Sequence, residues 1–335
     1  METAFVLDLL RQAAALGCMA VRFTGGEPLL RPDLPELYLA ARKLGMQVFL
    51  FTNARLITPE FVQLLSHYPP GRVVELTVYG MHPESYDAVA GVKGAYHEFG
   101  RGVDLLLAYK IPFVVKQAFL SPNKAELEEF EAWAATIPSM DKRPGYLMNF
   151  DLSARRDDTE KSRRIEKLRL SPAETVAMLA RDPKYVSGMQ EFCSKFMRPP
   201  GDKIFSCGAG HGTCVDAYGN AQMCLPLRHK DTIYDLHTGT LREALTEFFP
   251  RFRERKAETP EYLRRYAVCF LKGLCEQCPS KSWMEHGTLD TPVEYLCEVA
   301  HAQARFLGLI GESENSWEVT DGKERGERFA AAKTA

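Results

Sequence analysis

Residues Val21–Leu30 read VRFTGGEPLL, a short β-rich segment that runs straight into two glycines, a glutamate and a proline. Upstream, Phe5, Val6, Leu9, Leu10, Ala13 and Ala14 recur at helical spacing and Gly17 can cap that helix, so Ala20–Phe23 is predicted as a strand. The same unit repeats downstream. A helical pattern over Leu34–Leu44 stops at Gly45 before the apolar run QVFLFTN; Pro59–Ser66 leads to VVELTVYG, and Phe99–Ala108 to FVVKQAF. A further helix, Lys124–Thr136, precedes YLMNFDLS. Strands alternating with helices predict a parallel sheet with right-handed crossovers, either open or closed into a barrel, with the chemistry at the strands' C-terminal ends.

Composition bounds the function. The chain has 335 residues, 45% of them hydrophobic, enough for one large α/β core and a smaller module. A formal charge of −2 supplies no field for nucleic acid or an anionic membrane, and neither is expected as a partner. No apolar run approaches a membrane span, and METAFVLDLL carries acid where a signal peptide would carry base, so a soluble, cytoplasmic protein is expected. Of nine cysteines only Cys18 lies in the first half, and the other eight fall between Cys193 and Cys297. In a cytosolic protein such clustering points to metal rather than disulfides.

At the end of the first strand, Gly25 and Gly26 permit positive φ and let a ligand approach the main chain, while Glu27 can accept hydrogen bonds from an ammonium group and Pro28 stiffens the exit. Taken locally, the turn also reads as a tight strand-to-helix connection. With its surroundings it says more. FTGGEPLLRPDL, followed by FLFTNARLI and LTVYGMHPESYDAVAGVKGAYHEF, resembles the radical S-adenosylmethionine superfamily. That resemblance implies an α/β fold, a partial (β/α)6 TIM-like barrel, here lacking its first strand because the chain opens on a helix. It implies that Gly25, Gly26 and Glu27 hold the methionyl end of S-adenosylmethionine, and that Thr52, Asn53, Thr77, Tyr79 and Lys116 lie at the equivalent strand ends.

The second half offers SCGAGHGTCVDAYGNAQMC and YAVCFLKGLCEQC, that is Cys207-x6-Cys214-x9-Cys224 and Cys269-x5-Cys275-x2-Cys278, with Cys297 following after eighteen intervening residues. Thiolates in such numbers suit zinc or iron-sulfur clusters, and a hairpin with Gly219 at its tip would return Cys224 beside Cys207 or Cys214. A zinc ribbon offers two CxxC knuckles and this chain has one, so zinc remains as an alternative. The arrangement resembles the SPASM extension found behind some radical S-adenosylmethionine barrels, which carries one or two auxiliary [4Fe-4S] clusters. By that resemblance Cys207, Cys214, Cys224 and Cys278 serve the first cluster, and Cys269, Cys275 and Cys297 the second. Two departures stand out. The position three before Cys269, where the family has another cysteine, is Tyr266, and the last pair is one residue closer than the usual CxxxC. The second cluster is therefore absent, open to a substrate ligand, or completed by another side chain. Cys18 and Cys193 read as buried core residues, and His211 and His286 as surface histidines.

The superfamily's CxxxCxxC, which binds the cluster that cleaves S-adenosylmethionine, occurs nowhere in the sequence. The expectation is an N-terminally shortened copy or fragment, with the radical cluster only in a longer parent and no catalytic competence as given. The expected domains are a barrel over 1–185, an auxiliary iron-sulfur domain over 186–310 and a frayed polar tail over 311–335. The implied reaction is modification of a peptide or protein substrate by a 5′-deoxyadenosyl radical, with electrons from a donor such as flavodoxin or ferredoxin. The competing reading is a non-catalytic iron-sulfur or zinc-binding scaffold or redox protein.

Overall fold

The computed structural model describes residues 1–142, 144–148 and 158–332, and the chain divides into two compact units. The first unit comprises Met1–Asn149 with Thr240–Arg242, and the second Phe150–Gly239 with Glu243–Ala335. The division falls at Asn149/Phe150, earlier in the chain than the boundary expected near residue 185.

In the first unit, helices α1 (Thr3–Ala15), α2 (Leu34–Lys43), α3 (Pro59–His67), α4 (Pro83–Ala90), α5 (Ala95–Ala108) and α6 (Leu127–Ala134) alternate with strands β1 (Ala20–Phe23), β2 (Gln47–Thr52), β3 (Val74–Val78), β4 (Phe113–Phe119) and β5 (Gly145–Met148). The expected strand YLMNFDLS is thus present up to Met148; its remaining residues lie outside the described ones. The five strands are parallel and lie in chain order, β1-β2-β3-β4-β5. Because parallel crossovers share one hand, sequential order stacks successive helices on one side of the sheet, as in a partial barrel; in a doubly wound sheet the order reverses.

Burial alternates accordingly. Val48, Leu50 and Thr52 on β2, Val74, Leu76 and Val78 on β3, and Phe113, Val115, Gln117 and Phe119 on β4 are buried. Leu34, Leu37, Tyr38, Val62, Leu65 and Leu106 of the helices are buried with them. The intervening residues Phe49, Phe51, Glu75, Thr77 and Lys116 are only half-buried, and Arg22 is exposed. One face of the sheet is a hydrophobic core and the other is charged and accessible.

The second unit contains α7 (Thr159–Leu168), α8 (Pro172–Ala180) and α9 (Tyr185–Phe196), then an antiparallel sheet of β6 (Cys214–Val215), β7 (Asn220–Gln222) and β8 (Ile233–Asp235). The short helix α10 (Leu241–Glu243) begins in the first unit's Thr240–Arg242 segment, and the second unit goes on through α11 (Phe249–Arg253) to α12 (Pro279–His286), α13 (Glu294–Phe306) and α14 (Gly322–Ala331). The charge-dense stretch from Arg155 falls partly outside the described residues, and the rest forms α7, which buries no side chain.

Residues beyond Gly311, expected to fray, instead carry α14 and bury Ser316, Gly322 and Gly326. Sequence polarity misleads here because the segment is held by charge. Arg325 pairs with Glu314 (2.6 Å) and Asp321 (2.8 Å), and the Gly311 N–H donates to Glu314 Oε2 (2.6 Å). The Arg325 hydrogen bond, aided by the Gly311 N–H, holds the Glu314 carboxyl down to about 2. A depressed folded-state pKa contributes stability that is present above the ordinary carboxyl range and lost as pH falls through about 2. Amide-exchange protection of α14 should therefore decline between about pH 4.5 and 2, and Glu314→Gln should flatten that decline; an unchanged profile in the variant would refute the tether.

Candidate cofactor and cluster sites

The turn after β1 is built around one carboxylate. Gly25 sits at φ +122, where L side chains rarely settle, and a Cβ on Gly25 or Gly26 would meet nothing within 4 Å, so the backbone lies bare. Glu27 caps the short 3-10 turn Pro28–Leu30, its Oε1 accepting from Leu29 N–H (3.1 Å). The same oxygen accepts from Thr52 Oγ1 (2.8 Å), and Oε2 accepts from Asn53 N–H (2.8 Å). Glu27 thus ties the end of β1 to the end of β2. An ionised carboxylate has about four acceptor positions, so roughly one is left for an incoming donor.

The strand ends around this turn are locked. Thr52 is buried on the helix-packed face, and its hydroxyl also accepts from Ala54 N–H (3.0 Å), so it acts on the open turn only through Glu27. Asn53 Oδ1 accepts from Arg55 N–H (3.1 Å), and Arg55 pairs with Glu98 of α5 (2.6 Å). Gly102 lets α5 come in so close that a Cβ there would lie 2.0 Å from Ala54 O, with Ala54 itself at φ +63. Tyr79 has its hydroxyl pushed up by burial, with the Glu27 carboxylate adding to the shift and Arg55 opposing it. Tyr79 therefore stays a neutral donor near Glu27.

Thr77 and Lys116 are register partners on the accessible face. Lys116 is ion-paired to Glu75 and lies 4.4 Å over the Phe51 ring, while Arg22 lies 4.6 Å over the same ring from the other side of the register. Arg22, Glu75 and Arg55 were not singled out from sequence. Asn123 was also missed: fully buried, its Nδ2 donates to Tyr79 O and Ala118 O (both 2.8 Å) and its Oδ1 accepts from Leu120 N–H (2.8 Å), joining the ends of β3 and β4.

In the second unit the hairpin turns at Gly219, φ +87, where Asp216 Oδ1 accepts from Tyr218 N–H (2.9 Å) and Asn220 N–H (3.0 Å). Cys214 pairs with Gln222 across it, which carries Cys224 past the β6 end. Burial pushes the Cys224 thiol up to about 12, against the Leu227 N–H, and Cys278, Cys207 and Cys214 add to the shift as neighbours. The thiols of Cys207, Cys214 and Cys278 therefore lie within electrostatic reach of Cys224. Cys278 comes from the N-terminal end of α12 and contacts Ser280 Oγ at 3.0 Å.

Cys269, Cys275 and Cys297 line a second pocket together with Arg265, Tyr266 and His301. Burial pushes Cys275 up to about 12 and Cys297 up to about 11, and in both the Cys269 sulfur adds to the shift. The Tyr266 hydroxyl is pushed well above its usual range by burial, with Cys275, Cys278 and Cys269 all contributing. Ser316, inside the supposed tail, contacts Cys269 Sγ at 3.0 Å. Arg265, His301 and Ser316 carry no local sequence signal, because they reach the thiols only through the fold.

Among the described residues no three His, Cys, Asp or Glu side chains close around a single-ion position. Tetrahedral zinc needs its thiolates about 2.3 Å from one ion, whereas a [4Fe-4S] cubane spreads four thiolates over four irons. The first group's donor set of four thiols, Cys207 exposed and Cys214, Cys224 and Cys278 half-buried, fits the cubane in number; the second, with three, does not supply a full set. Of the remaining cysteines, Cys193 is buried as expected, but Cys18 is exposed, its thiol donating to Ala20 O (3.1 Å), because β1 is a sheet edge among the described strands. His211 and His286 are exposed.

Residues 1–134 match the model of the Radical SAM superfamily. That stretch lies within the first unit. The chain is 30% identical across 116 residues to the AdoMet-dependent heme synthase of Methanosarcina barkeri, an alignment covering 35% of this chain and 33% of that protein. It is 31% identical across 137 residues to the PqqA peptide cyclase of Gluconobacter oxydans, covering 41% and 38%. The chain thus spans little more than a third of these curated relatives. In solved structures the likeness extends past residue 134. The structure of native anSMEcpe with bound AdoMet and Cp18Cys peptide superposes with a TM-score of 0.62 over 92% of this chain and 89% of that one, at 16% identity. That of Streptococcus suis SuiB bound to precursor peptide SuiA gives 0.60 over 87% and 67%, at 15% identity. The fold is therefore shared along most of the chain. No helix among the described residues is long and apolar enough to cross a membrane.

Proposed function

We propose that this chain serves radical S-adenosylmethionine chemistry on a peptide or protein substrate in the cytoplasm, with a SPASM-type module holding auxiliary iron-sulfur clusters. The observation that carries the reading is the Gly25–Glu27 turn, bare at its glycines and clasped through Glu27 to the end of β2. Gly25 and Gly26 would admit the methionyl group beside the main chain, and the remaining acceptor position of Glu27 would take its ammonium. Asn53, Thr77, Tyr79 and Lys116 offer polar contacts at the neighbouring strand ends, with Tyr79 kept protonated as a donor. Cys207, Cys214, Cys224 and Cys278 would bind an auxiliary [4Fe-4S] cluster, which when bound supplies one-electron transfer. The barrel's share is to orient substrate and exclude water on the charged face of Arg22, Glu75 and Lys116.

A peptide substrate is supported by relatives whose names and bound molecules are peptidic, the PqqA peptide cyclase and the peptide-bound anSMEcpe and SuiB structures. An electron donor such as flavodoxin or ferredoxin belongs to the same reading. The sequence contains no CxxxCxxC. Anaerobic reconstitution with iron and sulfide, followed by metal analysis and S-adenosylmethionine titration, tests the proposal. Bound iron and sulfide with measurable affinity are expected; colourless, metal-free protein that ignores S-adenosylmethionine would sink it.

A further inference from the structure

We infer that Arg22 is a binding residue for a substrate carboxylate, selecting an acidic side chain in the peptide that reaches the open face of the first unit's sheet. The inference rests on the peptide reading proposed above and narrows it to a charge. Arg22 stands on β1 opposite Phe49 in register, yet its guanidinium carbon lies nearer the Phe51 ring (4.6 Å) than the Phe49 ring (5.8 Å). The side chain therefore leans toward the C-terminal ends of the parallel strands, the end at which the Gly25–Glu27 turn stands. Three residue steps separate Arg22 from Gly25, a Cα separation of at most about 11 Å. A group held by Arg22 would sit beside the cofactor turn rather than at the far end of the sheet.

Its charge is uncompensated. Lys116 lies over the same Phe51 ring at 4.4 Å and is paired with Glu75, which stands opposite Phe51 in register. Two cations thus share one aromatic ring and one carboxylate, and Lys116 takes the carboxylate. Among the described residues no oxygen accepts a hydrogen bond from the Arg22 side chain and no acid pairs with it. The rings position the cation but offer no oxygen to its five N–H donors. Arg22 is also exposed, so those donors are within reach of an incoming group.

The surplus is a single positive charge, which matches a carboxylate rather than a dianionic phosphate. A guanidinium presents a planar fork that meets a carboxylate with two parallel hydrogen bonds, a geometry the ammonium of lysine lacks. An arginine left without an acid, on a face whose other cation is already neutralised, therefore discriminates between side chains. A glutamate or aspartate gains a charge-assisted pair there, while glutamine or asparagine brings only a weaker, uncharged acceptor. Glu75 supplies the opposing element, because it repels an acid placed beside it and so directs the carboxylate to the Arg22 side.

The full chain carrying isotope-labelled arginine reports on this site through the Arg22 Nε–H magnetic resonance, identified by its loss in Arg22→Gln or, should that variant fail to fold, in Arg22→Lys. Acetyl-glycyl-glutamyl-glycinamide should move that resonance in a saturable way, and its glutaminyl counterpart should leave it in place. By calorimetry, Arg22→Gln should lower affinity for the glutamyl peptide about tenfold or more, the worth of a charged hydrogen bond, while Arg22→Lys should retain part of it. A resonance that ignores both peptides, or follows both equally, overturns the inference. S-adenosylmethionine is also added alone. If it moves the resonance as the glutamyl peptide does and blocks that peptide, the carboxylate belongs to the cofactor and the substrate assignment falls. Titration of the reconstituted chain with S-adenosylmethionine keeps the two readings apart. A chain that binds the cofactor while Arg22 ignores the glutamyl peptide loses the inference and keeps the radical reading. A chain that ignores the cofactor and still binds the glutamyl peptide through Arg22 loses the radical reading and keeps the carboxylate site.

Discussion

Cys224→Ser should leave the reconstituted chain about four irons short of its parent, the content of one cubane. Cys224 is the sulfur that Cys207, Cys214 and Cys278 all influence electrostatically, and burial with those neighbours holds its thiol up to about 12. A protonated thiol held so firmly in the metal-free chain gives up its proton to metal rather than to solvent, so binding depends on all four sulfurs acting together. A serine hydroxyl of similar size is a far weaker donor to iron. The hairpin itself should survive, because its tip rests on Asp216 and Gly219 and not on sulfur. Iron and sulfide analysis with far-ultraviolet circular dichroism separates the two: lost iron in a folded chain is expected. Full iron content in the variant would show that Cys224 is not a ligand.

The second large effect is expected at Glu27. Glu27→Gln removes the charge that would meet an ammonium, and loss of one charged hydrogen bond costs about 1.5–3 kcal/mol, or roughly tenfold or more in affinity for S-adenosylmethionine. The substitution also disturbs the clasp. A carboxamide has one acceptor oxygen, so its NH2 must face either Asn53 N–H or the donors Thr52 Oγ1 and Leu29 N–H, which now meet the carboxylate. Thr52→Val tells the two roles apart. It removes one bond of the clasp, within the buried face, and leaves the Glu27 charge in place, so it should lower thermal stability by about 1 kcal/mol while most of the affinity persists. Equal affinities for Glu27→Gln and the natural chain in titration calorimetry would remove Glu27 from the binding site and leave it a structural clasp.

Much of the fold was legible because it is local. Ala20–Phe23 and Phe113–Phe119 are strands over the residues their apolar runs mark, and α1 stops where Gly17, at φ +82, ends its pattern. Periodicity of that kind is a property of neighbouring residues and survives without tertiary context. Burial at one position is not local in this sense. Cys18 sits among apolar residues in sequence yet is exposed, because β1 lies at an edge of the sheet. The polar segment beyond Gly311 looks like a tail, yet it packs, because Glu314 and Arg325 find each other across eleven residues and Gly322 lets the chain close on Phe270.

By itself the sequence determined a parallel β/α unit, a bare glycine turn carrying one carboxylate, and a thiol-rich second half, since composition and spacing are enough to specify helix, strand, turn and metal-loving side chains. Only the tertiary structure decided that Glu27 binds the end of β2, that Cys207, Cys214 and Cys278 come within electrostatic reach of Cys224, and that Arg265, His301 and Ser316 attend the remaining three sulfurs. The reason is that hydrogen bonds and electrostatic coupling act over a few ångströms of space, and residues such as Cys269 and Ser316, 47 positions apart in sequence, come within that range only when the chain has folded.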